Sequence, residues 1–117
     1  MDLHTPENLR LAARIGVELG ADFIKTEFTG SEESFRTVVD NCYQPVLVLG
    51  GSKVDDERAL FSMVKSAMDA GGAGAVIGRN IWGHRNPQAL VSALSRIIHD
   101  NASIDESLDV LNTLSVQ

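Results

Sequence analysis

At 117 residues, 44% of them apolar and 22% charged, the chain has room for one globular domain and the composition of neither a disordered segment nor a fibre. Sixteen acidic residues against ten basic ones leave a net charge of −6, and aromatic residues are scarce, so a nucleic-acid partner is not expected. No run approaches the roughly 20 apolar residues of a membrane span, and the opening MDLHTPENLR lacks the layout of a secretory signal. The lone Cys42 can form neither an internal disulfide nor a cysteine-based zinc site. These features lead to the expectation of a cytoplasmic, acidic domain with no membrane partner.

In chain order, Thr5 followed by Pro6 reads as a helix N-cap with proline in the first turn; Leu9, Ala12, Ala13 and Val17 then recur at helical spacing up to Gly20. Asp22 to Phe28 (DFIKTEF) reads as a first strand. Ser31 caps a helix carrying Phe35, Val38 and Val39, and Pro45 to Leu49 (PVLVL) reads as a second strand. Asp55 or Asp56 opens a third helix with Leu60, Phe61, Val64 and Met68 on one face and Gly71-Gly72 as its stop. Ala75 to Ile77 is the third strand. A helix begins near Pro87 with Leu90, Leu94, Ile97 and Ile98, and Ser103 with Glu106 forms a capping box ahead of Leu108, Leu111 and Leu114. Strands alternating with helices imply parallel βαβ units. Three strands are too few for a doubly wound sheet or a closed barrel, so the sheet calls for completion by another copy or another chain.

Three segments could carry chemistry. Alternation puts Phe23, Lys25 and Glu27 on one face of the first strand and Ile24, Thr26 and Phe28 on the other. Helices cover the apolar face, so Lys25 and Glu27 fall on the opposite, inner one. An amine enclosed there loses hydration, which favours the neutral form that attacks a carbonyl; otherwise Lys25 pairs with Glu27 or guards an exposed edge. Gly50-Gly51-Ser52-Lys53 follows the second strand directly, where glycines let backbone N–H groups approach an anion and Ser52 adds a hydroxyl, although a simple turn has the same composition. Gly78-Arg79-Asn80 follows the third strand and leads into a short helical turn at Ile81-Trp82-Gly83. Two successive βα loops of this kind form the barrel arrangement for holding phosphate, with Arg79 or the loop N–H groups as donors. His4, His84 and His99 do not cluster with carboxylates at metal-ligand spacing; His84 reads as an exposed loop residue and Cys42 as packing.

GADFIKTEFTGS, PVLVLGGSK and GAGAVIGRNIWGHRNP, in this order and spacing, resemble the last three βα units of the archaeal-type class I fructose-bisphosphate aldolase family, which includes heptulosonate synthases and autoinducer-processing aldolases. The resemblance covers about Gly20 to Asp100, and the tail HDNASIDESLDVL is similar to the end of the heptulosonate-synthase branch. It implies an α/β fold, part of a (β/α)8 barrel with strands six to eight and flanking helices, and residues 1–117 as a single C-terminal half-barrel domain. It also implies a Schiff-base lysine at Lys25, a substrate-phosphate grip at Gly50, Gly51, Ser52, Gly78 and Arg79, and no metal or other cofactor. The family's aspartate near the first strand and tyrosine on the fifth have no counterparts here, since Tyr43, the single tyrosine, lies in the loop before the second strand seen here; Glu27 is the candidate for acid–base work. The expected function is therefore an aldolase-like lyase domain that binds a phosphorylated sugar or ketone and assembles as a homo-oligomer. The alternatives are a non-catalytic phosphate-binding or structural half-barrel and one subunit of a split aldolase.

Overall fold

The computed structural model describes residues 4–116. In chain order these form α1 (Pro6–Glu18), β1 (Ile24–Thr26), α2 (Glu32–Asp40), β2 (Val46–Leu49), α3 (Glu57–Asp69), β3 (Gly74–Val76), α4 (Arg79–Trp82), α5 (Pro87–Asp100) and α6 (Ile104–Ser115). The strands make one parallel sheet in the order β1-β2-β3, with Ile24 opposite Val46, Lys25 opposite Leu47, and Leu47 opposite Gly74.

The caps read from the sequence sit where the helices start. Thr5, Ser31, Asp56 and Ser103 each accept a backbone N–H from the first turn, and at α6 the Glu106 carboxylate accepts the Ser103 N–H in return. At the end of α3, Gly71 has φ +101° while its N–H reaches the carbonyl of Met68 and that of Gly72 reaches Ala67, a paired closure that an L residue adopts only with strain. All three strands differ in extent from the sequence reading, β2 only by starting one residue later, at Val46. β1 is trimmed to Ile24–Thr26 because its ladder starts at the Pro45 carbonyl, which accepts the Ile24 N–H, and proline has no N–H to extend the pairing further. β3 begins at Gly74, and the last bond of its ladder runs from Gly50 N–H to the Val76 carbonyl, leaving Ile77 beyond it.

All the helices that touch the sheet lie on one face. Ala13 and Val17 of α1, Phe35 and Val38 of α2, and Ala67 of α3 close over Val46 and Val48, with Ile24, Phe28 and Ala75 at the margin. A second cluster joins Leu60, Phe61 and Val64 of α3 to Leu90, Ala93, Leu94 and Ile97 of α5 and Leu111 of α6. The apolar stripe of α6 is thus spent largely within the chain. The opposite face of the sheet carries Lys25, Leu47, Leu49 and Val76 and, among the described residues, has no layer over it; Phe23 is 58% exposed and Val76 39%. A parallel sheet is ordinarily covered on both faces, so this arrangement has the layering of a barrel wall. Among the described residues no helix is long and apolar enough to cross a membrane.

Candidate active site

Parallel strands place every following loop at the same, carboxyl end of the sheet, and there β2 and β3 bring the two glycine loops together. Gly50 N–H donates to the Val76 carbonyl at 3.0 Å. A Cβ on Gly50 would stand 2.8 Å from Cγ2 of Ile77, so the close approach of the two loops requires glycine. Gly51 turns the chain with φ +69°, again a glycine conformation. From the other loop, Gly78 and Arg79 begin α4, whose Ile81 and Trp82 N–H groups donate to the Gly78 carbonyl.

Lys25 reaches this region from β1. It is exposed on the open face, as alternation requires, and lines a pocket of about 450 Å³ together with Gly50, Gly51, Gly78 and Arg79. An adjoining pocket of about 480 Å³ shares Gly50, Gly51 and Arg79 and adds Ser52 and Glu27. The structure therefore gathers the sequence-derived residues along one continuous surface. It does not pair Lys25 with Glu27: the Glu27 carboxylate lies 3.1 Å from His4 Nδ1, and among the described residues no carboxylate forms an ion pair with Lys25. Lys53, next in the loop, donates to Asp55 at 2.9 Å. That hydrogen bond, and then the lysine's charge, hold the Asp55 carboxyl below its ordinary range.

Two further residues make contacts close to these loops in sequence that the sequence reading did not assign. Asn80, 4% exposed, sits behind the β2–α3 loop: its Nδ2 donates to the carbonyls of Gly50 and Ser52, each at 3.3 Å, and its Oδ1 accepts the Val54 N–H at 2.7 Å. The available signal was the residue type, since a carboxamide offers two donors and an acceptor beside a glycine loop rich in backbone polar groups. His84 corrects the reading of an exposed loop histidine, because its side chain is only 10% exposed. Nδ1 accepts the Asn86 N–H at 2.9 Å, which leaves the proton on Nε2 to be donated to Glu57 at 2.8 Å. The imidazole thus ties the start of α3 to the loop ahead of α5. Cys42 is buried with its thiol toward the Gln44 carbonyl, as packing requires, and Tyr43 is exposed before β2 with the Arg14 guanidinium over its ring at 5.3 Å.

A family model described as DeoC/LacD family aldolase matches residues 1–84. A 2-amino-3,7-dideoxy-D-threo-hept-6-ulosonate synthase of Halobacterium salinarum is 42% identical over 108 residues, which is 92% of this chain and 40% of that protein. Among solved structures, an archaeal fructose 1,6-bisphosphate aldolase superposes with a TM-score of 0.82 at 34% identity, over 86% of this chain and 40% of the other. A Schiff-base-forming fructose-1,6-bisphosphate aldolase superposes with a TM-score of 0.81 at 34% identity, over 85% of this chain and 40% of the other. The chain spans about two-fifths of the length of the relatives it matches.

Proposed function

The chain belongs to the DeoC/LacD aldolase family, and from that premise we propose that residues 1–117 are a single C-terminal half-barrel domain of a Schiff-base aldolase, with β1, β2 and β3 standing as strands six, seven and eight of a (β/α)8 barrel. The observation that carries the proposal is the shared pocket, in which an amine on β1 faces two glycine loops at the carboxyl end of β2 and β3. A phosphorylated ketose is the substrate class this suits. Its phosphate would rest on Gly50, Gly51, Ser52 and Gly78, with Arg79 as the charged partner. Its carbonyl would lie toward Lys25.

In the reaction proposed, neutral Lys25 Nζ adds to the carbonyl carbon, and the carbonyl oxygen, first a hydroxyl, departs as water when the imine forms. The protonated imine then takes up the electron pair of the neighbouring carbon–carbon bond as it breaks, while a base accepts the proton of the substrate hydroxyl. Glu27, the carboxylate that lines the adjoining pocket, is the group we assign to take that proton. No metal or cofactor is required by these steps.

The exposure of Lys25 bears on how far the isolated chain proceeds. Imine chemistry is best served by a site closed to bulk water, so efficient reaction calls for a cover over the open face, which we assign to a second copy of the chain in a homo-oligomer. Without that cover the same observation favours the non-catalytic, phosphate-binding reading. Borohydride reduction in the presence of dihydroxyacetone phosphate, followed by peptide mass spectrometry, tests the proposal. An adduct on Lys25 that vanishes in Lys25→Met is the expected result, with slow or no turnover of ketose bisphosphate. Absence of any adduct at saturating ligand would overturn the aldolase reading.

A further inference from the structure

We propose that Asn80 is the positioning residue of the phosphate grip, a role that rests on the site reading above and deepens it. In a trans peptide the C=O and the following N–H point in opposite directions, and all the described peptide bonds here are trans. Asn80 Nδ2 holds the carbonyls of Gly50 and Ser52. The N–H groups belonging to those same two peptides, those of Gly51 and Lys53, must therefore point away from Asn80. Among the described residues neither N–H has an acceptor.

The side they point to is the pocket side. Gly51 and Ser52 line the pockets, whereas Asn80 lines neither and is buried, so the loop stands between the carboxamide and the open space. The third bond, from Val54 N–H to Oδ1, fixes the far end of the same stretch without drawing on Gly51 or Lys53. Asn80 also belongs to α4, directly after Gly78 and Arg79, so one side chain links the placement of both loops. An aspartate could accept from Val54 but not donate to the two carbonyls, and an alanine could do neither.

The test uses the full chain, labelled with nitrogen-15 and titrated with inorganic phosphate. In the unaltered chain phosphate should shift the amides of Gly51 and Lys53 and slow hydrogen exchange at the Asn80 carboxamide. Asn80→Ala should bind phosphate about tenfold more weakly, the size expected for loss of an ordered donor pair. Borohydride trapping separates positioning from mere stability: in Asn80→Ala the yield with dihydroxyacetone phosphate should fall toward that with dihydroxyacetone, whose own yield stays unchanged. Equal phosphate affinity in the variant, or an equal fall with both ketones, would overturn the proposal and leave the site reading standing. Should Asn80→Ala not fold, the unaltered chain decides, since shifted Gly51 and Lys53 amides with unslowed carboxamide exchange also overturn it. If phosphate moves none of these amides in the unaltered chain, the site reading itself fails.

Discussion

Replacing Gly50 by alanine is the sharpest test of how the two loops are brought together. The new Cβ would meet three atoms of Ile77, Cγ2 at 2.8 Å, Cγ1 at 3.1 Å and Cβ at 3.2 Å. Carbon atoms rest comfortably at about 3.5–4.0 Å, so the worst contact is short by more than half an ångström. Rotation about χ1 of Ile77 does not clear it, because turning one γ carbon away brings another group in and Cβ itself does not move; β-branching also makes other rotamers costly. Backbone movement is opposed by the Gly50 N–H bond to Val76 at 3.0 Å, directly beside the clash. The cost is therefore that of overpacking, about 1–3 kcal/mol, which lowers the urea midpoint of unfolding by about 1 M. Ile77→Ala alone, at a half-buried position against the α3–α5 core, should cost about 2 kcal/mol. With both substitutions the γ carbons are gone and only the 3.2 Å contact remains, so the double variant should be more stable than the sum of the two singles by at least about 1 kcal/mol. Strict additivity, or a Gly50→Ala chain unfolding at the unaltered midpoint, would refute the account of why glycine stands there.

Three further outcomes follow from the same geometry. Ser103→Ala removes the side chain that accepts the Glu106 N–H at 3.1 Å and should cost about 1 kcal/mol, read as a fall of roughly 4 °C in a circular-dichroism melt. An NMR titration should place the Asp55 carboxyl below its ordinary range and return it there in Lys53→Met. A carboxylate depressed in the folded chain stabilises above its unfolded pKa and loses that contribution as pH falls through the folded one, but for this fully exposed carboxylate stability should barely respond. Light scattering at micromolar concentration should find a dimer or larger assembly, since the open face of the sheet carries half-buried Leu47 and Leu49 beside exposed Phe23 and Val76; a monodisperse monomer is the contrary result.

What the sequence made legible was local. Helix starts are written in residues three apart, and the caps at Thr5, Ser31 and Ser103 needed no knowledge of the rest of the chain; Asp56 was narrowed to one of two neighbours. The two-residue period of β1 likewise separated Lys25 from Thr26, which is 7% exposed, without reference to its partners. The strand ends were less legible, because a strand extends only as far as a neighbour supplies donors and acceptors, and Asp22 and Phe23 lie beyond the ladder. Least legible were Asn80 and His84. The three loop groups held by Asn80 and the Glu57 carboxylate beside His84 lie 26 to 30 residues away in sequence, and no local period reports a carboxamide folded back on a loop or an imidazole held between a carboxylate and a backbone N–H. The family resemblance named the glycines and Arg79, yet the side-chain hydrogen bonds to the backbone of the β2–α3 loop come from the neighbouring asparagine.

These contrasts divide the proposed site into two parts with different dependencies. The phosphate grip is constrained from within the chain: Ile77 allows only glycine at position 50, and Asn80 fixes three backbone groups of the same loop while itself buried. Its geometry needs no additional layer over the sheet. The amine is in the opposite situation. Backbone pairing with Leu47 and Thr26's burial fix which way Lys25 points, but the side chain ends on a surface open to water, and among the described residues no element covers it. Affinity for a phosphorylated ligand is on this reasoning a property of the single chain, whereas reactivity toward its carbonyl depends on whatever lies across the open face. On the proposed reading, phosphate binding and carbonyl chemistry are therefore separable by experiment, the first measurable in a single chain and the second responding to assembly.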